Sequence, residues 1–163
     1  MKKLLFFCFC FITSNLFFGQ EKALLKLLNQ ELKREVKNQF KSDAFEGDTL
    51  SIVESFSIND DKILSFKVKK RSNSEDGYQL IKQEVPLKMV RKIAKDIQII
   101  LETEPESVRT TYTNISSNHT ETVNDNLFFL NLSNEKKNEN FGLQLQSAFK
   151  NAGYFVEKDL WYD

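Results

Sequence analysis

The hydrophobic period of the chain changes between Lys41 and Leu50, and that change limits what it can fold into. From Glu21 to Lys41 there is no glycine or proline, and Leu24, Leu25, Leu28, Leu32, Val36 and Phe40 recur at three- and four-residue steps. This is the apolar stripe of an amphipathic helix. Further on, Leu50, Ile52, Phe56 and Ile58 alternate with Ser51, Val53, Ser55 and Ser57, and Leu64, Phe66 and Val68 alternate with Ser65, Lys67 and Lys69. These are two strands, each with one buried face, and Asn59-Asp60-Asp61 between them makes them a hairpin. A three-residue loop at Asn59–Asp61 pairs Phe56 with Leu64, Glu54 with Phe66 and Ile52 with Val68. Glu54 is then expected on the buried face, where lost hydration would raise its pKa and make it a candidate proton donor; the structural alternatives are a bulge at Ile52-Val53 that turns it outward, or a backbone donor, Lys or Arg that satisfies it.

The rest of the chain adds to this frame. Tyr78–Val85 reads as a third strand ended by Pro86, which has no N–H for a sheet ladder. Leu87, Val90, Ile93 and Ala94 then fit one side of a short helix, with Lys88, Arg91, Lys92 and Lys95 as a basic stripe on the other, a candidate contact for an anionic surface. Asp96–Leu101 reads as a central strand that turns through Thr103–Glu106 into Ser107–Thr113, pairing Leu101 with Val108. Asn114–Asn126 is polar and reads mostly as loop, and Leu127–Leu132 as a central strand. Asn138–Ala152 reads as a closing helix with Gly153 at its C-cap and Gly142 weakening its first turn. Tyr154–Val156 adds an edge strand, and Leu160–Tyr162 a terminal aromatic contact. The expected fold class is α+β: an antiparallel sheet of about six strands packed against N-terminal and C-terminal amphipathic helices.

The first twenty residues set the expected compartment. Lys2 and Lys3 precede an apolar run from Leu4 to Ile12, and Gly19 is a small residue at the end of the segment. That is the layout of a secretory signal peptide, and the run is shorter than the roughly 20 residues a membrane-spanning helix needs. Residues 1–19 are read as the signal peptide and 20–163 as a single domain, exported to the periplasm or secreted, with no transmembrane helix after cleavage. The segment and the Asn- and Lys-rich composition resemble small exported proteins of Bacteroidetes-like bacteria.

Composition narrows the chemistry. Both cysteines, Cys8 and Cys10, lie in the segment to be removed, so the remainder has no disulfide and no thiol. Removing Lys2 and Lys3 from 23 basic residues leaves 21 against 23 acidic ones, a net of −2, which gives nucleic-acid binding no support. The glycines are isolated, so no glycine-rich phosphate cradle exists, and one histidine, His119, cannot build a multi-histidine zinc site. His119 lies in a Ser- and Thr-rich stretch and reads as a solvated loop residue, with a catalytic role as the weaker option. Glu102, Glu104 and Glu106 flank a proline turn without a calcium-loop pattern. Asp48-Thr49-Leu50 resembles the short O-glycosylation motif of Bacteroidetes-like bacteria, which would make Thr49 the modified residue. No cofactor or metal is expected. The functional expectation is a non-catalytic exported domain that binds a protein or envelope component; the alternatives are a small carboxylate-dependent hydrolase using Glu54, and an inhibitor or immunity protein against an exported toxin.

Overall fold

The computed structural model describes residues 2–41, 47–71, 77–133 and 137–162. Most of the loop expected at 42–48 and of the turn expected at 72–77 lies outside the described residues. Helix α1 runs Lys2–Asn38 and tightens into a 3-10 turn at Gln39–Lys41. Strands β1 (Thr49–Ile58), β2 (Ile63–Arg71) and β3 (Gln79–Pro86) follow, then a 3-10 turn at Leu87–Met89. Next come β4 (Val90–Lys95), β5 (Ile99–Thr103), β6 (Val108–Asn114), β7 (Thr120–Asp125) and β8 (Leu127–Phe129), and finally α2 (Glu139–Asn151) and β9 (Glu157–Trp161). The fold is α+β, as expected, but its strands form two sheets rather than one: a five-stranded antiparallel sheet ordered β1-β2-β3-β6-β7 and a four-stranded mixed sheet ordered β8-β5-β4-β9. Among the described residues no helix is long and apolar enough to cross a membrane.

The inner faces of both sheets and the apolar faces of the helices share one core. Phe56 and Phe66 of the larger sheet have ring centroids 4.4 Å apart, and Phe66 meets Phe128 of the smaller sheet edge-on at 5.5 Å. Leu24, Leu28 and Leu32 bring α1 into this core, and Phe141, Leu145 and Phe149 bring α2. Each fully buried leucine contributes about 1.5–3 kcal/mol by leaving water. One buried amide ties the sheets together: Gln83 donates from Nε2 to Thr110 Oγ1 (3.0 Å) and accepts at Oε1 from the Phe129 N–H (3.0 Å). A buried amide satisfied in this way stabilises one arrangement of the sheets, because any other leaves its polar atoms unpaired.

The stripe of α1 differs from the expected one at its C-terminal end. Its buried positions are Glu21, Leu24, Leu28, Leu32, Glu35 and Gln39, while Phe40 is 63% exposed. Four-residue steps drift around a helix of 3.6 residues per turn, so a stripe must include occasional three-residue steps to stay on one face. Here the step after Leu32 is to Glu35, and polar side chains at the ends of the stripe bond to the rest of the fold.

The β1–β2 hairpin also departs from the expected register. Ile52 pairs with Val68 as expected, but Glu54 faces Lys67, Ser57 faces Ser65 and Ile58 faces Leu64. The loop is shifted by one residue to Asp60–Lys62, closed by Lys62 N–H to Asn59 O (3.0 Å), with Lys62 in the left-handed region at φ 62°. One extra β1 residue lies between Ile52 and Glu54, and another between Glu54 and Ser57. Each bulge inverts which face the next side chain takes, so two in succession restore the core face for Phe56 and Ile58. Only the stretch between them is inverted. Glu54 therefore faces outward, not into the core.

Three further expectations are corrected. The helix expected from Leu87 to Lys95 is only the 3-10 turn Leu87–Met89: Val90–Lys95 is a strand between β5 and β9. A register shift between Val90 and Lys92 sets the buried Val90 and Ile93 three residues apart, which imitates helical spacing. The turn at Thr103–Ser107 does not close a hairpin, because β5 and β6 belong to different sheets, so Leu101 pairs with Ile93 and Phe128 rather than Val108. The polar segment after Asn114 contains β7, all exposed, and β8 is a short edge strand rather than a central one.

Gly142 is inside α2 for a reason of space. A Cβ there would lie 2.6 Å from Trp161 Cζ3, so the β9 indole occupies the place of a side chain. Gly142→Ala should therefore destabilise the protein by about 1–3 kcal/mol, as overpacking does, despite alanine's higher helix propensity. In a Trp161→Leu background the same change should become neutral or stabilising. Urea titrations of the four proteins check this, and an equal penalty in both backgrounds contradicts it.

Candidate functional site

A cleft of about 760 Å³ opens between α2, β4 and the segment that leads into β9. α2 contributes Leu143, Gln146, Ser147 and Lys150, and β4 contributes Arg91 and Lys92. Phe155, Val156 and Glu157 close the third side. This third side is rigidly built. Gly153 takes φ 89° past the end of α2, as a helix terminator should, and the Tyr154 N–H returns to Phe149 O at 2.9 Å. Val156 is buried and its carbonyl accepts from Gln146 Nε2 at 3.1 Å. Tyr154 reaches back to α1, donating its hydroxyl to Glu21 Oε1 (3.3 Å), while Lys62 Nζ donates to the other Glu21 oxygen (3.0 Å).

Between these two fixed neighbours Phe155 is 86% exposed, and Leu143 across the cleft is 51% exposed. Tyr154-Phe155-Val156 had the appearance of an edge strand; the strand instead begins at Glu157 and runs parallel to β4. The available signal was three consecutive apolar residues after a helix-ending glycine, which cannot all face one core in extended chain. Leu143, Ser147 and Lys150 carried no signal in the sequence beyond their place on the outer faces of α2.

The charges around the cleft are partly committed. Lys92 Nζ donates to Asp159 Oδ2 at 2.6 Å, and this hydrogen bond and charge hold the ammonium above its ordinary pKa. The same bond, with the Leu160 N–H, holds the Asp159 carboxyl below its ordinary range. Arg91 donates from Nε to Glu104 Oε1 at 2.6 Å and from Nη1 to Lys88 O at 2.8 Å. Among the described residues, the side chains of Ser147 and Lys150 have no hydrogen bond or ion pair, while Glu157 interacts electrostatically with Lys92, so one hydroxyl and one ammonium remain for a ligand.

The residues singled out in the sequence do not converge. Glu54 is an exposed carboxylate, 56% accessible, with Lys67 Nζ at 3.8 Å. His119 is exposed at the tip of the β6–β7 hairpin, where its carbonyl accepts from the Asn114 N–H at 2.9 Å. Thr49 is half-buried at the start of β1, opposite Arg71. The basic stripe is dispersed by the strand geometry: Lys88 and Arg91 are exposed, Lys92 is paired with Asp159, and Lys95 is buried, donating to Asn138 Oδ1 at 3.0 Å beneath Trp161. Glu102 faces Lys92 on β5, Glu104 binds Arg91, and Glu106 occupies the turn at φ 57°. Among the described residues no three His, Cys, Asp or Glu side chains gather where they could hold a metal ion.

Tyr154 provides a titratable test of how the cleft wall is anchored. Burial first, then the nearby Glu21 carboxylate and its hydrogen bond, push the phenol from 10.0 up to about 12. A group whose pKa is raised by folding adds stability that is complete below its unfolded value and lost as pH rises through the folded value. The stability advantage of the wild type over Tyr154→Phe should thus be constant at neutral pH and shrink between 10.0 and about 12. Paired thermal melts across that range check it; a constant difference contradicts the assigned environment.

No protein-family model, no curated protein and no solved structure matches the chain, so the reading of this site rests on its own geometry.

Proposed function

We propose that the protein is an exported, non-catalytic binding domain, and that the cleft between α2, β4 and β9 docks a segment of a protein partner. The export reading is supported by the basic, apolar and small-residue order of the first nineteen residues. The binding reading is carried by one observation: Phe155 is held fully outward at the rim of a concave surface by neighbours that are pinned on both sides. Aromatic side chains presented rigidly lose little entropy on contact and are enriched among the residues that dominate binding energy. The partner segment would set an apolar side chain between Phe155 and Leu143 and an acidic one against Lys150.

Phe155 contributes little to the fold, so Phe155→Ser should change stability by no more than about 0.5 kcal/mol. A photo-reactive aromatic residue at position 155 of the exported protein should form a discrete adduct with an envelope protein. That adduct should be lost when Lys150 is changed to Glu. A melting temperature that falls in Phe155→Ser as for a core residue, or labelling that ignores Lys150→Glu, contradicts the proposal.

A further inference from the structure

The outer face of the five-stranded sheet is a second surface, separate from the cleft. Strand alternation sends Leu64, Phe66, Val68, Val85 and Val108 to the core, so the intervening side chains share the opposite face. On β2 these include Lys67, Lys69 and Arg71, on β3 Lys82 and Glu84, and on β6 Arg109. With Glu54 of β1, the face holds five basic residues against two acidic ones, in a chain whose totals are 23 and 23. The excess is local.

Its arrangement is regular. Lys67 and Lys82 are direct cross-strand partners, a placement in which like charges repel. Lys67 is only partly offset, by Glu54 at 3.8 Å, whereas Lys82 is paired with Glu84 at 2.8 Å, a carboxylate that a ligand's own would have to replace. One row along, Lys69 Nζ lies 3.9 Å from the centre of the Tyr78 ring, with Arg71 at 5.6 Å from the same ring. Toward the β7 edge the charges give way to hydroxyls, in the cross-strand pairs Thr111–Thr122 and Thr113–Thr120 at 3.4 and 3.1 Å. Cations therefore repeat at about 7 Å along β2 and hydroxyls continue across the neighbouring strands at about 5 Å.

We propose that this face binds a linear acidic polysaccharide, its carboxylates meeting Lys67, Lys69 and Lys82 and its hydroxyls meeting the threonine pairs. A sparsely charged, hydroxyl-rich polymer matches cations interleaved with carboxylates and hydroxyls. Duplex nucleic acid, with one charge about every 1.7 Å, demands a denser positive field than a chain of balanced charge supplies. An anionic membrane is disfavoured because the aliphatic side chains that alternation places on this face, Ile63 and Leu80, are half-buried rather than projecting, and the groups around them are charged or hydroxylated.

Polygalacturonate is a direct probe, with dextran as the neutral control and duplex DNA and anionic vesicles as competing polyanions. At low ionic strength the protein should bind polygalacturonate and not dextran. Changing Lys67, Lys69 and Lys82 together to Gln should weaken this by about tenfold or more, whereas the same change at the exposed helix residues Lys22, Lys26 and Lys33 should not. In the unmodified chain, polygalacturonate should protect Lys67, Lys69 and Lys82 from amine acetylation while Lys22, Lys26 and Lys33 stay reactive, a readout that needs no variant to fold. Phe155→Ser should leave the binding unchanged, separating this face from the cleft. Absence of binding, equal loss in the two triple variants, equal protection of both lysine sets, or tighter binding to DNA or vesicles overturns the proposal.

Discussion

The edge of β1 is closed by two side-chain amides, Asn29 of α1 and Gln39 of the 3-10 turn that ends it, and the placement of everything else on that side of the molecule depends on them. Asn29 accepts from the Phe56 N–H at 2.8 Å and donates to the Phe56 carbonyl at 2.9 Å. Gln39 does the same for Leu50, at 2.7 and 3.0 Å. A carboxamide has one acceptor and one donor end, so each presents to a strand residue the same pair of groups that a neighbouring strand would. The sheet is thus continued by a helix, and an edge that would otherwise offer unpaired backbone groups to another chain is covered. The two amides are ten residues apart, on α1 and on the turn that ends it, and fix the direction of the helix, antiparallel to β1.

Once α1 is held there, its other polar contacts follow. Glu35 Oε1 accepts from the Ser133 N–H at 2.9 Å and its hydroxyl at 3.0 Å, securing the chain after β8. Glu21, at the far end of the buried stripe, anchors Tyr154 and through it the segment that presents Phe155. Burial of Leu24, Leu28 and Leu32 turns one face of the helix to the core, and the amides and carboxylates fix its position along β1. The cleft wall is therefore coupled to the sheet edge through one helix. The outer face of the larger sheet lies on the side away from the core, where Lys82 is paired with Glu84 and Lys67 lies near Glu54.

Where two-residue or helical periodicity was uninterrupted, the sequence was easy to read: α2 runs Glu139–Asn151 and stops before Gly153, and β2 buries Leu64, Phe66 and Val68 as its alternation required. The failures share a physical cause. Bulges change the phase of a strand without leaving a mark in composition, so simple alternation put Glu54 on the buried face, whereas the alternative of a bulge near Ile52-Val53 is what turns it outward, and the shift in β4 made a strand look like a helix. β7 was invisible for another reason: it is polar on both faces, as an exposed edge strand is, and has no period to detect. The division into two sheets follows from the chain leaving the larger sheet after β3 and returning at β6, a long-range choice that local pattern does not encode. Of the site, Arg91 and Lys92 were singled out in the sequence as part of a basic stripe, whereas Leu143 and Lys150 were not; Phe155 emerges from the contrast with its pinned neighbours.

The central claim, that side-chain amides of α1 and of the turn that ends it complete the sheet, is tested most directly by hydrogen exchange at the Leu50 and Phe56 amides. Both should be protected in the wild type, although among the described residues no strand lies on that side of β1. Asn29→Leu preserves side-chain size but leaves the Phe56 N–H and carbonyl without their partners, at a cost of about 1–3 kcal/mol for each group left buried. The Phe56 amide should then exchange faster while that of Leu50, still held by Gln39, changes only with global stability, and Gln39→Leu should give the converse. Unaltered protection of Phe56 in Asn29→Leu would contradict the account.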